Sequence, residues 1–260
     1  MSDGPVVVTR DGDVAVVTLS SPPVNLWTEA VIEGYESALD ALEADPPRAA
    51  LLRAEGRVVS GGVDVNLFAT VADGAAGGVL WERLLRLPAR LEALPYPTVF
   101  AAHALCLTAS FELSLACDLL LAAEGAKFGL VERVVGLTPS MGGPQRLVER
   151  AGPARARELV YTGALYDAAT LERWNVVNRV LATEGFDDAA RAFTRDLAAG
   201  PTVAHAATKR LVRAALEGGA PAADAIVPEV AGSLFDTNDL KNAVRSFLEH
   251  GPGKATFNGT

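Results

Sequence analysis

Two glutamates stand in apolar surroundings: Glu112 within "CLTASFELSLACD", Cys106 to Asp118, and Glu132 within "AKFGLVERVVGL". Ionised carboxylates are rarely buried unless paired or functional, because leaving water costs them their hydration. If burial or mutual repulsion keeps a proton on such a pair near neutral pH, one carboxyl can act as base and the other as acid. Each also has a plain structural reading, in which it reaches solvent or meets an arginine, Arg133 being adjacent to Glu132. Glu112 falls in the first turn of its helical pattern, where the macrodipole favours a negative charge with no chemistry attached.

Backbone donors are the second resource. "RVVSGGVDVN", Arg57 to Asn66, follows a strand pattern, and "SMGGPQRL", Ser140 to Leu147, opens a helix. Glycines there permit a tight turn or a close backbone approach that exposes N–H groups to an oxyanion, although adjacent glycines more often mark a simple turn. Neither stretch has the glycine spacing of a dinucleotide-binding or P-loop motif. The histidines His103, His205 and His250 are scattered, no Cys/His spacing suggests zinc, and no G-x-S-x-G elbow supports a Ser–His–Asp hydrolase.

These residues need elements to hold them. "PVVVTRDGDVAVVTLS" predicts a hairpin turning at Asp11-Gly12-Asp13. Val31, Ile32, Tyr35, Leu39 and Leu42 follow at helical spacing, with Thr28 as N-cap. "RAALLRAEG", "PTVFAAH" and "DLLLAAEG" read as buried strands, alternating with helices over "LWERLLRLPARLEAL" and "FELSLAC". That alternation implies a mostly parallel sheet with crossover helices. From Ala154 the pattern is helical, ending in a stretch with Pro201 at its start and Gly218 past its end, then Ala222 to Leu234 and Asn238 to His250. Residues 1–200 are expected to form the core, and 201–260 a helical region that packs onto it or onto another subunit.

Composition narrows the classes. The 260 residues are 50% hydrophobic and 21% charged, as expected of a folded globular chain. A net charge of −9 argues against non-specific nucleic-acid binding. Cys106 and Cys117 lie in apolar runs and read as buried hydrophobes, which fits a reducing cytoplasm. The N-terminus has no basic start followed by an apolar stretch, and no run approaches the roughly 20 apolar residues of a membrane helix. The expectation is a cytoplasmic protein with no membrane partner.

Five collinear stretches resemble the crotonase, or enoyl-CoA hydratase/isomerase, superfamily: "DVAVVTLSSPPVNLWTEA", "RVVSGGVDV", "YPTVFAAHALCLTASFELSLACDLLLAAEGAKFGLVE", "VGLTPSMGGPQRL" and "ATKRLVRAAL". The resemblance implies an α/β crotonase-like spiral of ββα units with a C-terminal helical trimerisation region, assembling as a homotrimer or a dimer of trimers. It implies an acyl-CoA substrate, with coenzyme A entering only as part of that substrate and no metal or redox cofactor. By motif position, Val63 and Ala109 match the two oxyanion-hole donors. Glu112 and Glu132 match the catalytic carboxylates of hydratases, Glu112 mainly activating water and Glu132 mainly protonating carbon. Val24, Leu26, Arg57, Gly61, Asp64, Val65, Val131 and Ser140 fall at substrate-binding positions, Arg57 as the basic candidate for the CoA phosphates and Lys254 as a second.

Several positions depart from the pattern. Thr108, Ala109 and Ser110 replace the usual glycine run, His103-Ala104 the usual Asn-Gly, Val131 a proline, Ser140 a glycine, Ser21 an arginine and Asn66 a lysine. The reading that results is hydration of a 2-enoyl-CoA thioester. Isomerisation or dehydration through one glutamate, and acyl-CoA binding without turnover, stay open beside it. The segment between Leu67 and Trp81, rich in Gly and Ala, reads as a loop lining the acyl pocket.

Overall fold

The computed structural model describes residues 4–260, so the first three residues of the N-terminal reading lie outside it. Gly12, at φ 59°, turns the chain between β1 (Val6–Asp11) and β2 (Val14–Leu19), which pair antiparallel as the hairpin signal predicts. The Thr28 hydroxyl accepts from Val31 N and caps α1 (Glu29–Ala44), whose predicted apolar residues form its buried face. Next come β3 (Ala49–Ala54), the short α2 (Asn66–Ala69), α3 (Gly74–Ala93) and β4 (Thr98–Ala102). The expected loop between Leu67 and Trp81 is therefore mostly helical. Asp73 accepts from Ala76 N at 2.9 Å and starts α3 well before its apolar face begins.

After β5 (Cys106–Leu107) and α4 (Thr108–Leu115) come β6 (Leu119–Ala123), β7 (Lys127–Gly129) and a 3-10 turn over Glu132–Val135. Then follow α5 (Gly143–Thr162), β8 (Tyr166–Asp167), α6 (Ala168–Arg173), β9 (Arg179–Leu181) and α7 (Phe186–Ala198). The helical reading from Ala154 missed β8 and β9, because strands of two or three residues are too short to show a period.

The larger sheet has the order β1-β2-β3-β4-β6-β9, parallel from β2 onward. A second sheet, β5-β7-β8, is extended by a bridge from Ser60 to Cys106. Successive turns of chain give one strand to the large sheet, one short segment to the small sheet, and then a helix; this is the expected spiral of ββα units. The large sheet is buried on both faces, and side chains alternate between them. Ala15, Val17, Leu52, Phe100 and Leu120 meet the main core under α1, α3 and α4, while Val14, Val16, Leu51, Val99 and Leu121 pack under Phe186 and Ala190 of α7.

The chain closes with α8 (Thr202–Gly232) and α9 (Asn238–His250). The break expected at Gly218 comes at Gly219, whose φ of 74° suits glycine, and the helix then resumes. Val212, Leu216, Phe235, Phe247 and Leu248 of this region are all largely exposed. Its first turns are tied to the sheet: Arg48 donates to Gly200 O at 2.7 Å and to Thr202 Oγ1 at 3.1 Å. Lys209 Nζ reaches Asp118 Oδ2 at 2.9 Å, and that same oxygen accepts from Thr98 N at 2.8 Å and Thr98 Oγ1 at 2.9 Å. Asp118→Ala strips the acceptor from all three donors, and should lower unfolding stability by about 2 kcal/mol. A urea midpoint unchanged from wild type would show that this carboxylate does not hold the region to the sheet.

Candidate active site

The loop after β3 is folded onto the turn after β2 by side chains that residue pattern alone did not single out. Asn25 is buried at φ 51°; its Oδ1 accepts from Ser21 N at 2.7 Å, and its Nδ2 donates to Glu55 O at 2.7 Å and Val58 O at 3.0 Å. Ser60 Oγ donates to Asn25 O at 2.8 Å and accepts from Gly62 N at 3.0 Å. An asparagine just past the Pro22-Pro23 pair is the signal that could have pointed here, since Asn tolerates left-handed backbone. Gly61 N donates to Val24 O at 2.7 Å, Trp27 N to Gly62 O at 2.9 Å, and Asp64 N to Trp27 O at 3.0 Å. The amides of residues 61, 62 and 64 are thereby used, and Val63 N–H is left with no acceptor among the described residues.

The small sheet brings the second donor alongside. Leu107 N donates to Ser60 O at 3.1 Å, and α4 therefore starts against Gly62. A β-carbon on Gly62 would lie 3.1 Å from Thr108 Oγ1, and Gly62 itself sits at φ 112°. Ala109 lies in the first turn of α4, where an N–H has no acceptor within its own helix. The loop residue Val63 and the helix residue Ala109 thus present free amides on the two sides of one junction.

The altered glycine run divides its consequences. Thr108 takes φ 47°, a left-handed conformation that costs a β-branched residue about 1–3 kcal/mol, whereas Ala109 is not among the positive-φ residues. Ser110 Oγ accepts from Trp27 Nε1 at 2.7 Å, a bond glycine could not make, and Trp27 stacks on Tyr35 at 4.8 Å.

Glu112 is the fifth residue of α4 and so begins the second turn; the first-turn macrodipole reading does not apply. It is 2% exposed, and neither solvent nor an arginine takes its charge. Instead Oε2 accepts from Met141 N at 2.9 Å and Gly143 N at 2.8 Å. Burial pushes its pKa up to about 7, while the amides of Gly143, Met141 and Ser140 and the Arg146 guanidinium pull the other way. The Gly142-Gly143 pair, ambiguous in sequence, is required here. A β-carbon on Gly143 would lie 2.7 Å from Glu112 Cγ, and Gly142 sits at φ 90°, a conformation that L side chains rarely adopt.

Glu132 reaches the same place through β7, whose Gly129 pairs with Leu107 directly before α4. Arg133 does not meet it, because that guanidinium donates to Tyr161 O and Thr162 O, each at 2.8 Å. Glu132 Oε2 is buried with no hydrogen-bond partner. Burial pushes its pKa up to about 8, and the Glu112 carboxylate adds to the rise.

The structure gathers Val24, Leu26, Gly61, Val63, Asp64 and Val65 around the Trp27 bridge, with Ala109 and Glu112 across the junction and Ser140 beside the Glu112 amides. Val131 precedes Glu132 at the entry of its turn, and Ser140 Oγ donates to Thr138 O at 2.9 Å. Arg57 is exposed at the far end of the loop and is not drawn into this cluster. Phe68 of α2 and Trp81 of α3 pack together at 5.7 Å between ring centroids.

Comparison with known proteins places this geometry in context. Residues 9–259 match the family model for enoyl-CoA hydratase/isomerase. A Bacillus subtilis protein named a probable enoyl-CoA hydratase is 37% identical over 154 residues, which span 59% of this chain and 60% of that protein. A second probable enoyl-CoA hydratase, from Mycobacterium bovis, is 30% identical over 246 residues, 94% of this chain and 95% of the relative. The crystal structure of an enoyl-CoA hydratase subunit I from Geobacillus kaustophilus HTA426 superposes with a TM-score of 0.91 over 100% of both chains, at 29% identity.

The two raised carboxyl pKa values have a consequence for stability. Both groups titrate above the ordinary 4.5, so from about that pH upward the folded state keeps protons that the unfolded chain has released. Their contribution is fully present below about 4.5 and is lost as the pH rises through about 8. Glu132→Gln cannot ionise, and it should flatten the decline of Tm across this window and melt above wild type at its alkaline end. Parallel Tm–pH curves for the two proteins would mean that Glu132 is not held protonated by its surroundings.

Proposed function

This chain belongs to the enoyl-CoA hydratase/isomerase family, and we propose that it adds water across the double bond of a 2-enoyl-CoA thioester. The observation that carries the reading is the carboxyl pair. Glu112 is held through Oε2 by two amides, and Glu132 has a buried oxygen with no partner; their pKa values are displaced to about 7 and about 8. Near neutral pH the amide-supported Glu112 is the group that ionises more readily, and Glu132 is the one that keeps a proton.

In this reading the thioester oxygen lies between the Val63 and Ala109 amides. The Glu112 carboxylate accepts a proton from water as the water oxygen bonds to the β-carbon. The π electrons move onto the thioester oxygen as an enolate, which the two amides and the start of α4 stabilise. As the enolate collapses, the Glu132 carboxyl gives its proton to the α-carbon, so that the water ends divided between the two carbons. Proton return from Glu112 to Glu132 restores the resting pair. The step uses no metal or redox cofactor, and coenzyme A takes part only as the substrate's handle.

The finer assignments are part of the same proposal. Val24, Leu26, Gly61, Asp64, Val65, Val131 and Ser140 would line the acyl thioester, with Arg57 available at the surface to the CoA phosphates. The exposed Val212, Leu216, Phe247 and Leu248 of α8 and α9 support assembly as a homotrimer or a dimer of trimers, whereas Val203, Leu211, Ala215 and Leu234, expected at such contacts, are half-buried within the single chain. No helix among the described residues is long and apolar enough to cross a membrane, and we place the protein in the cytoplasm with no nucleic-acid partner.

Loss of the enoyl thioester chromophore on hydration provides the assay. An isomerase would instead create that chromophore from a 3-enoyl thioester, and a binding protein would do neither. The kcat/KM profile should be bell-shaped with limbs near the two displaced values, about 7 and about 8. Glu112→Gln and Glu132→Gln should each cost about 10²-fold or more while leaving the fold intact. Wild-type hydration by either variant would remove that residue from the mechanism. Light scattering at micromolar concentration should give a mass three or six times that of one chain, and a monodisperse monomer would end the assembly proposal.

A further inference from the structure

Thr108 combines three features on one residue. Its backbone is left-handed at φ 47°, the residue is 6% exposed, and its Oγ1 is enclosed by protein without any hydrogen-bond partner. The left-handed backbone and the buried unpartnered hydroxyl are each unfavourable, and a glycine at this position would avoid both. Costs of this kind gathered on one residue belong to functional sites more often than to packing, because the surroundings must hold them in place.

The position is specific. Thr108 is the residue before Ala109, and its Oγ1 faces Gly62, the residue before Val63. The hydroxyl therefore lies at the junction between the two free amides. Nearby in the same loop, Gly62 O accepts from Trp27 N, and Ser60 Oγ donates to Asn25 O and accepts from Gly62 N. Ser110, next but one in the same altered run, is bonded to Trp27, so Thr108 holds the one spare hydroxyl there.

Building on the hydratase reading, we propose that the Thr108 hydroxyl is a third donor to the thioester oxygen, completing with the Val63 and Ala109 amides a three-donor oxyanion site. In this proposal the enclosed hydroxyl turns about its own Cα–Cβ bond to meet the oxygen held between those amides. Enclosure favours this role, since a donor shielded from water is worth most against charge that develops only in the transition state. The conformational strain is retained because a glycine, which would relieve it, carries no hydroxyl.

The test compares wild type with Thr108→Val, Thr108→Gly and Thr108→Ser in the full chain. Valine keeps the branched shape and removes the donor, glycine removes donor and strain together, and serine keeps the donor. Two readouts are needed. One is steady-state hydration of crotonyl-CoA. The other is the absorbance of bound 4-dimethylaminocinnamoyl-CoA, which moves to the red as its carbonyl oxygen accepts stronger hydrogen bonds. Thr108→Val and Thr108→Gly should lose about 10-fold to 10²-fold in kcat with little change in KM, the scale of one hydrogen bond to a charged acceptor, and should show a smaller red shift. Thr108→Ser should stay close to wild type in both. Thr108→Gly should melt at or above the wild-type temperature, so its slow turnover could not be assigned to misfolding.

A Thr108→Gly protein that turns over and shifts the chromophore as wild type does would overturn the inference and leave the hydratase reading standing. The same holds for a wild-type-like Thr108→Val. A wild-type protein that neither hydrates crotonyl-CoA nor binds the chromophoric thioester would overturn both.

Discussion

A carboxylate taken out of water in the second turn of α4 is the constraint on which the rest of the site depends. Glu112 cannot stay buried and ionisable without donors, and the donors it has are backbone amides at the entry of α5. To aim those amides the chain must pass within van der Waals distance of the carboxylate, and for that reason Gly143 can carry no side chain. Arg146, one turn into α5, donates to Gly142 O at 3.2 Å and to Glu92 of α3, so the loop that feeds Glu112 is itself held from two helices. The same desolvation that threatens the fold moves the carboxyl pKa into the range where a proton can be exchanged near neutrality.

The second constraint is the meeting of two chain segments at the small sheet. Ser60, β5 and β7 lie side by side, and each leads straight into a part of the site: the Gly61–Asp64 loop, the start of α4, and the turn that carries Glu132. Parallel pairing sends all three exits to the same end of the sheet. Strands of two or three residues hold little stability of their own, and the large sheet, buried on both faces, supplies the rigidity behind them. Trp27 links the two sides, bridging to Val63 by its backbone and donating to Ser110 by its indole nitrogen. The replaced glycine run is therefore not a simple loss of space, because Ser110 has become an anchor and Thr108 has become the strained residue between two donors.

The C-terminal helices follow a different logic. They touch the core through a few polar ties at Arg48 and Asp118, and their apolar faces stay open. These open apolar faces are the surface on which the proposed assembly rests.

Residue order alone carried a large part of this protein. The hairpin at Gly12, the α1 face capped by Thr28, the alternation of buried strands with helices, and the two glutamates at their motif positions were all legible, because each depends on neighbours a few residues away or on residue type. What the sequence left undecided were the long-range facts. It could not say whether Arg133 pairs with Glu132 or turns to Tyr161 O, or what the Gly142-Gly143 pair is for, and it put Glu112 in the first turn of a helix that begins four residues earlier, at Thr108. The small-sheet strands are too short to show a period, and α3 read as a loop because its local Asp73 cap precedes its apolar face; the anchoring roles of Asn25 and Ser110 were missed for the long-range reason. Their partners lie 30 or more residues away: Asn25 is bonded to Glu55, Ser110 to Trp27, and Glu112 to Gly143. Tertiary packing brings those partners together, and only their meeting decides which charge is paired, which amide is free and which side chain must be absent.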